Sequence, residues 1–185
     1  MLIIFGLVTY ATKGVSFGAI DPAIPNIFIP KAGRFPMIIL WAIIAVVVVW
    51  FIWNKTTFGK NLYAVGGNPE AATVSGISVF KVTMGAFIMA GILYGFGSWL
   101  ECLRMVGSGS AAYGQGWDMD AIAACVVGGV SFTGGIGKIS GVVTGVLIFT
   151  SLTYSLTILG IDTNLQFIFE GIIILAAVTL DCLKY

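Results

Sequence analysis

Three stretches without a charged side chain, Pro36–Trp53, Val82–Leu100 and Ile139–Leu159, limit what this chain can fold into. The first runs for 18 residues and the second for 19. Wound as a helix, each is about 27 Å long or slightly more, close to the roughly 30 Å hydrocarbon thickness of a bilayer. Val46–Val49 has strand propensity, but a lone strand in lipid leaves its backbone groups unpaired, so helix is the reading there too. Trp50 and Trp53, followed by Asn54 and Lys55, form an interfacial aromatic anchor. Apolar residues make up 58% of the sequence, charged residues only 9%, and mean hydropathy is +1.04. A soluble domain carries about 25% charge, so this chain has too few polar side chains to cover itself in water. It reads as an integral membrane protein: a single all-α domain over residues 1–185, with about five spans or part-spans.

Several classes of function fall away on composition. A net charge of +1 with no concentrated basic run argues against a nucleic-acid partner. The absence of His, and three cysteines (Cys102, Cys125, Cys182) that form no C-x-x-C, give no metal or redox site. The cysteines read as small apolar packing residues. Gly134-Gly-Ile-Gly-Lys138 invites a phosphate-binding reading and fails it: Lys138 precedes Ile139 rather than Ser or Thr, and no Gly stands five residues before Gly137.

Along the chain, Leu2–Thr12 is an apolar run too short to span alone. Met1–Tyr10 lacks a charged n-region and a cleavage signature, so it is not read as a signal peptide. It is expected to be the tail of a membrane helix whose beginning is missing, and the abrupt end at Asp181–Tyr185 likewise suggests a fragment. Pro22, Pro25, Pro30 and Pro36, with Gly33, predict a non-helical, extended surface segment over Gly18–Pro36. Gly91 and Gly95 are spaced for close helix contact. Glu101–Asp120 is Gly/Ser-rich and is predicted to be an exposed loop. Ala121–Val130, with Asp120 to cap its start, is too short to span. Gly128–Gly129 and Gly134–Gly135 break its end, which predicts a half-helix followed by irregular backbone, tolerated at membrane depth only inside protein or beside a cavity. Gly137, Gly141 and Gly145 place a double G-x-x-x-G stripe on the first turns of the next span, a helix-packing face. Leu165–Leu180 forms the last span and carries Glu170, an intramembrane acid that is a functional candidate by default. Two readings of Glu170 stay open, a lumen or ion-pairing role and an interfacial or oligomer contact.

Between two long apolar runs lies a polar island, Gly59–Lys81. Asn68 is suited to N-cap a short helix, Pro69 to its first position, Glu70 to the positive end of its dipole, and Gly76 to a left-handed stop. A helix of about seven residues is too short to persist alone in water, so it needs something to pack against.

Phe58–Ile77, FGKNLYAVGGNPEAATVSGI, resembles the cytoplasmic loop of ribose/galactoside-type permeases of ATP-binding-cassette (ABC) importers. Tyr113–Gly145, YGQGWDMDAIAACVVGGVSFTGGIGKISGVVTG, and the ending AVTLDCLKY are similar to the galactose/methyl-galactoside branch of that group. The resemblance covers most of the chain and is weakest before Pro36. It implies a permease of the bacterial cytoplasmic membrane, made of polytopic helices, that moves a hexose such as galactose or a galactoside. It also implies a second permease copy, an ATPase dimer that uses the ATP, and a periplasmic sugar-binding protein as partners. The chain itself is then not an enzyme and binds no cofactor. The family is about twice as long, so residues 1–185 would be its C-terminal part, with N-terminal helices missing.

On that resemblance the short helix is the ATPase-coupling element, comprising Gly66, Gly67, Asn68, Pro69, Glu70, Ala71, Ala72, Ser75 and Gly76. Glu70–Gly76, E-A-A-x-x-x-G, is similar to the start of the general importer coupling motif, whose later Leu-Pro is absent, its place held by Ile88 and Met89. Glu101, Arg104 and Asp118 would face the binding protein, or be a solvated loop. The cations barely vote on orientation: Lys55, Lys60, Lys81, Lys138 and Lys184 fall on one side, Lys13, Lys31, Arg34 and Arg104 on the other. A loop that meets an ATPase must be cytoplasmic, and this alone orients the chain. The rival readings are an ion-coupled secondary transporter or channel with Glu170 as its ion site, and a non-functional membrane fragment or scaffold.

Overall fold

Each long apolar run is a helix. In the computed structural model, which describes residues 2–15, 21, 23–29, 31–32, 35–105, 109, 113–114 and 116–184, α3 (Ile38–Lys55), α6 (Val79–Arg104) and α8 (Ile139–Ile158) are long and apolar enough to cross a membrane. Two further helices carry shorter apolar stretches: α1 (Leu2–Thr12), over Ile3–Thr12, and α9 (Thr163–Lys184), over Leu165–Ala176, where the sequence predicts a last span over Leu165–Leu180. No residue of α3 is buried within the chain, as expected of a helix whose solvent is lipid or another subunit. Thr144, Thr153, Ser155 and Thr157 of α8 bond its own carbonyls, Thr144 to Ser140 at 2.9 Å and Ser155 to Ser151 at 2.7 Å. They therefore need no water at membrane depth.

The described residues fall in two compact units, one of Met1–Val48 with Met84–Gln115, the other of Val49–Thr83 with Gly116–Tyr185. The first is pinned by aromatic rings. Phe28 meets Trp99 edge-on with centroids 5.0 Å apart, Trp41 meets Phe96 at 5.9 Å, and the Trp41 indole donates to the Phe28 carbonyl at 3.0 Å. The second packs α7 (Trp117–Val127) on α8 and α9 around Ala123, Ala124 and Phe149, with Ile174 against them.

The proline-rich segment differs from its expected extended form. It contains a short helix, α2 (Ala23–Phe28), and an antiparallel pair of two-residue strands, β1 (Lys31–Ala32) and β2 (Phe35–Pro36). Asp21 starts α2 by accepting the Ala23 amide on Oδ1 at 3.0 Å. Pro25 sits in the first turn, where an N–H has no intrahelical partner to lose. Pro22, Pro30, Gly33 and Arg34 lie outside the described residues.

The loop expected over Glu101–Asp120 is shorter at both ends. Glu101 and Arg104 belong to the last turn of α6, where they pair with each other and Arg104 meets the negative end of the helix dipole. At the other end α7 begins at Trp117, three residues before the expected cap. Gly116, at φ +92°, is the N-cap, and Asp118 and Asp120 lie in the first turn. Asp120 therefore does not cap the helix; glycine's access to the left-handed region turns the chain into α7 earlier.

Candidate functional site

The polar island folds as two helices rather than one. α4 (Thr57–Gly67) follows α3 after Thr56, whose hydroxyl accepts the Gly59 amide at 3.3 Å. A methyl at Gly59 would fall on the Trp53 carbonyl, so the turn from α3 to α4 closes backbone on backbone. α5 (Pro69–Val74) follows at once. Asn68 serves both helices: its amide donates to the Ala64 carbonyl at 3.0 Å, and its Oδ1 accepts the Ala71 amide at 2.9 Å. Pro69 opens α5, Glu70 lies in its first turn, and the Ser75 amide donates to Ala71. Gly76 at φ +81° stops it, and the Ile77 amide reaches back to the Ala72 carbonyl at 3.0 Å. Only Ala72 of α5 is buried. Val74 is 90% exposed, and Pro69, Glu70, Ala71 and Thr73 are exposed beside it.

The α7–α8 connection is the interrupted segment. After α7, Gly129 at φ +80° ends the helix, and the Ser131 amide bonds the Ile136 carbonyl at 3.1 Å, closing a loop that Gly134 and Gly135 turn at φ +92° and +69°. On one side this loop is held by α8. A methyl at Gly145 would fall on the Ala124 carbonyl and lie 2.6 Å from the Gly128 nitrogen, and one at Gly141 would fall on the Gly128 carbonyl. Gly137 lies before the Lys138 N-cap of α8, outside the helical stripe expected to include it, and faces the Val130 side chain.

On the other side the loop is held by α4. A methyl at Gly66 would lie 2.6 Å from the Gly135 nitrogen, one at Gly134 2.6 Å from the Gly66 carbonyl oxygen, and one at Gly135 2.6 Å from the Gly67 Cα. One turn earlier, the Tyr63 hydroxyl donates to the Gly137 carbonyl at 2.7 Å. A cavity of about 300 Å³ lies along this contact, bordered by Trp53, Tyr63, Cys125, Ser131 and Lys138.

The remaining candidates take no part in the contacts described above. Among the described residues, nothing lies within 4 Å of a methyl added at Gly91 or Gly95. Glu101 and Arg104 form an ion pair that Tyr113 joins, its hydroxyl donating to Glu101 and accepting from Arg104 at 2.9 Å. The bond to Glu101, with some burial, pushes the Tyr113 pKa above its ordinary value. Asp118 is exposed on α7. Glu170 is buried in α9, 8% exposed, with its carboxyl against that of Asp120. Among the described residues no cluster of three or more metal-ligating side chains is present.

Sequence reasoning missed α4 and the part played by Tyr63. The signals were Thr56 three residues before Gly59, a cap spacing, and a lone tyrosine in a small-residue run. The glycine pairs 66–67 and 134–135 are visible in the sequence, but nothing in it shows that they meet.

Membrane-length helices joined by a half-helix and an interrupted loop define a multi-pass membrane protein. The family described as "Branched-chain amino acid transport system / permease component" matches residues 1–178, and the chain belongs to it. It is 57% identical over 196 residues to the galactose/methyl galactoside import permease protein MglC of Treponema pallidum, covering 100% of this chain and 36% of that one. To the protein of the same name from Escherichia coli it is 52% identical over 152 residues, covering 82% and 45%. To the ribose import permease protein RbsC of Bacillus subtilis it is 39% identical over 146 residues, covering 79% and 45%. The chain thus spans less than half the length of each of these relatives. No solved structure matches it.

Proposed function

We propose that these residues are part of the permease subunit of an ATP-driven sugar importer, carrying a hexose of the galactose or methyl-galactoside type. In this reading α5 is the contact through which an ATPase subunit acts. The permease works with a second copy of itself, an ATPase dimer and a periplasmic sugar-binding protein, and the polar island is cytoplasmic. The observation that carries the reading is α5 itself. It is a helix of six residues, capped at both ends, with nearly all of its surface exposed and Val74 bare. Such a helix moves as one body under an applied load, and its exposed face is free for a groove on another protein. Small Ala71 allows a close approach.

The test is uptake of labelled methyl-galactoside by cells lacking their own permease and supplied with the full-length protein. Glu70→Lys and Gly76→Val are expected to abolish ATP-dependent uptake while the protein still inserts, because the first reverses charge at the contact and the second forces a branched side chain into the left-handed region. Wild-type uptake with both changes present would remove the role of α5.

Glu170 supports a second reading, ion-coupled transport, because a buried carboxyl in a membrane helix is costly to keep without a purpose. Uptake that survives loss of the ATPase and collapses with the proton gradient would favour it.

A further inference from the structure

We infer that the C-terminal end of α4 and the interrupted segment form one joint, which carries displacement of α5 into the break between α7 and α8, with Tyr63 as its positioning residue; this rests on the proposed role of α5. Two independent contacts make the joint. The first is backbone on backbone: Gly66 and Gly67 against Gly134 and Gly135, at distances that leave no room for a single methyl on Gly66, Gly134 or Gly135. Side chains absorb displacement by changing rotamer, but two glycine backbones in contact have no rotamer to change. A push on one is therefore delivered to the other.

The second contact is the Tyr63 hydroxyl on the Gly137 carbonyl at 2.7 Å. One contact would leave a pivot. Two contacts about a turn apart on α4 restrict rotation as well as translation. The receiving loop is braced in turn. Its Ser131 amide bonds Ile136, and the Ser131 and Thr133 hydroxyls lie 2.8 Å apart. Gly128, just before it, lies on the backbone of Gly141 in α8. At its other end α4 is separated from α5 only by Asn68, whose backbone bonds α4 and whose side chain caps α5. Motion of α5 therefore has a continuous, stiff route to the residues where α7 stops.

The test measures uptake and ATP hydrolysis on the same reconstituted preparations of the full-length permease with its ATPase and binding protein. Tyr63→Phe removes one hydroxyl and keeps the ring. It is expected to leave ATP hydrolysis and the KM for the sugar unchanged and to lower sugar moved per ATP by roughly 3- to 10-fold, the worth of one hydrogen bond. Gly66→Ala parts the backbones and should lower that ratio further. Gly97→Ala, whose methyl meets nothing within 4 Å, should leave it unchanged. If Gly66→Ala does not fold, Tyr63→Phe decides alone.

Wild-type sugar per ATP in Tyr63→Phe would overturn the joint while leaving the proposed function standing. Equal loss of hydrolysis and uptake would overturn it too, by assigning Tyr63 to the ATPase contact. Absence of ATP-driven uptake in the wild-type protein would overturn the function and the joint together.

Discussion

The stripe on α8 and the stripe on α6 read alike in the sequence and behave differently in the fold. Gly141 and Gly145 repeat every four residues, and so do Gly91 and Gly95. On α8 the stripe lies on the backbone of α7 and of Gly128 just after it, so close that an added methyl would fall 2.1 or 2.2 Å from a carbonyl oxygen. On α6 the stripe meets nothing within 4 Å among the described residues, and Phe87, Ile88 and Ile92 around it are exposed. Small-residue spacing therefore tells that a helix can be approached closely; it does not tell by what. In lipid, where tails are as apolar as leucine, a close approach is driven by packing and by backbone contacts, and these need a partner of matching shape. The half-helix α7 provides one for α8.

The largest effect that would break this contrast is Gly145→Ala. The methyl has only backbone to push against, so the detergent-solubilised protein should lose about 2–3 kcal/mol of stability, read as an earlier thermal transition. Next is Asn68→Ala. It removes the cap of α5 and should cost about 1 kcal/mol, confined to that helix and seen as faster amide exchange at Ala71. Gly91→Ala comes third and has the opposite sign: with its face open, the chain should gain about 0.5–1 kcal/mol from the better helix former. A loss there would show that another helix, such as one of a second copy, covers the face.

The smallest effect concerns Tyr113. Its pKa is raised in the fold, so its bond to Glu101 contributes fully below the ordinary tyrosine value of about 10 and is lost as pH rises through the higher folded value. The wild-type protein should therefore lose stability relative to Tyr113→Phe only in that alkaline window, as checked by melts across pH.

What was legible in the sequence was local. Asn68, Pro69, Glu70 and Gly76 each act on backbone groups within four residues, so their spacing alone describes α5. Gly129, Gly134 and Gly135 mark the break for the same reason, since positive φ is a property of the residue. The long helices were legible because lipid leaves a backbone few alternatives.

What was not legible was held from a distance. Three glycines in α4 each cost about 1 kcal/mol of helix propensity, which argues against the helix. Their compensation lies at the Trp53 carbonyl and at Gly134–Gly135, the latter far along the chain. Asp120 has the chemistry of a cap, but Gly116 turns the chain first. Tyr63 looks like any interfacial tyrosine until its partner, 74 residues away, is seen.

The joint between α4 and the interrupted segment is tested most directly by a distance. With the native cysteines replaced by Ser, spin labels at Val74→Cys on α5 and Ile136→Cys in the break, both at exposed sites, can be followed by electron–electron double resonance in an uptake-competent, full-length transporter with and without ATP. A joint that moves as one body predicts the same distance distribution in both states. A shifted or broadened distribution on adding ATP would contradict it.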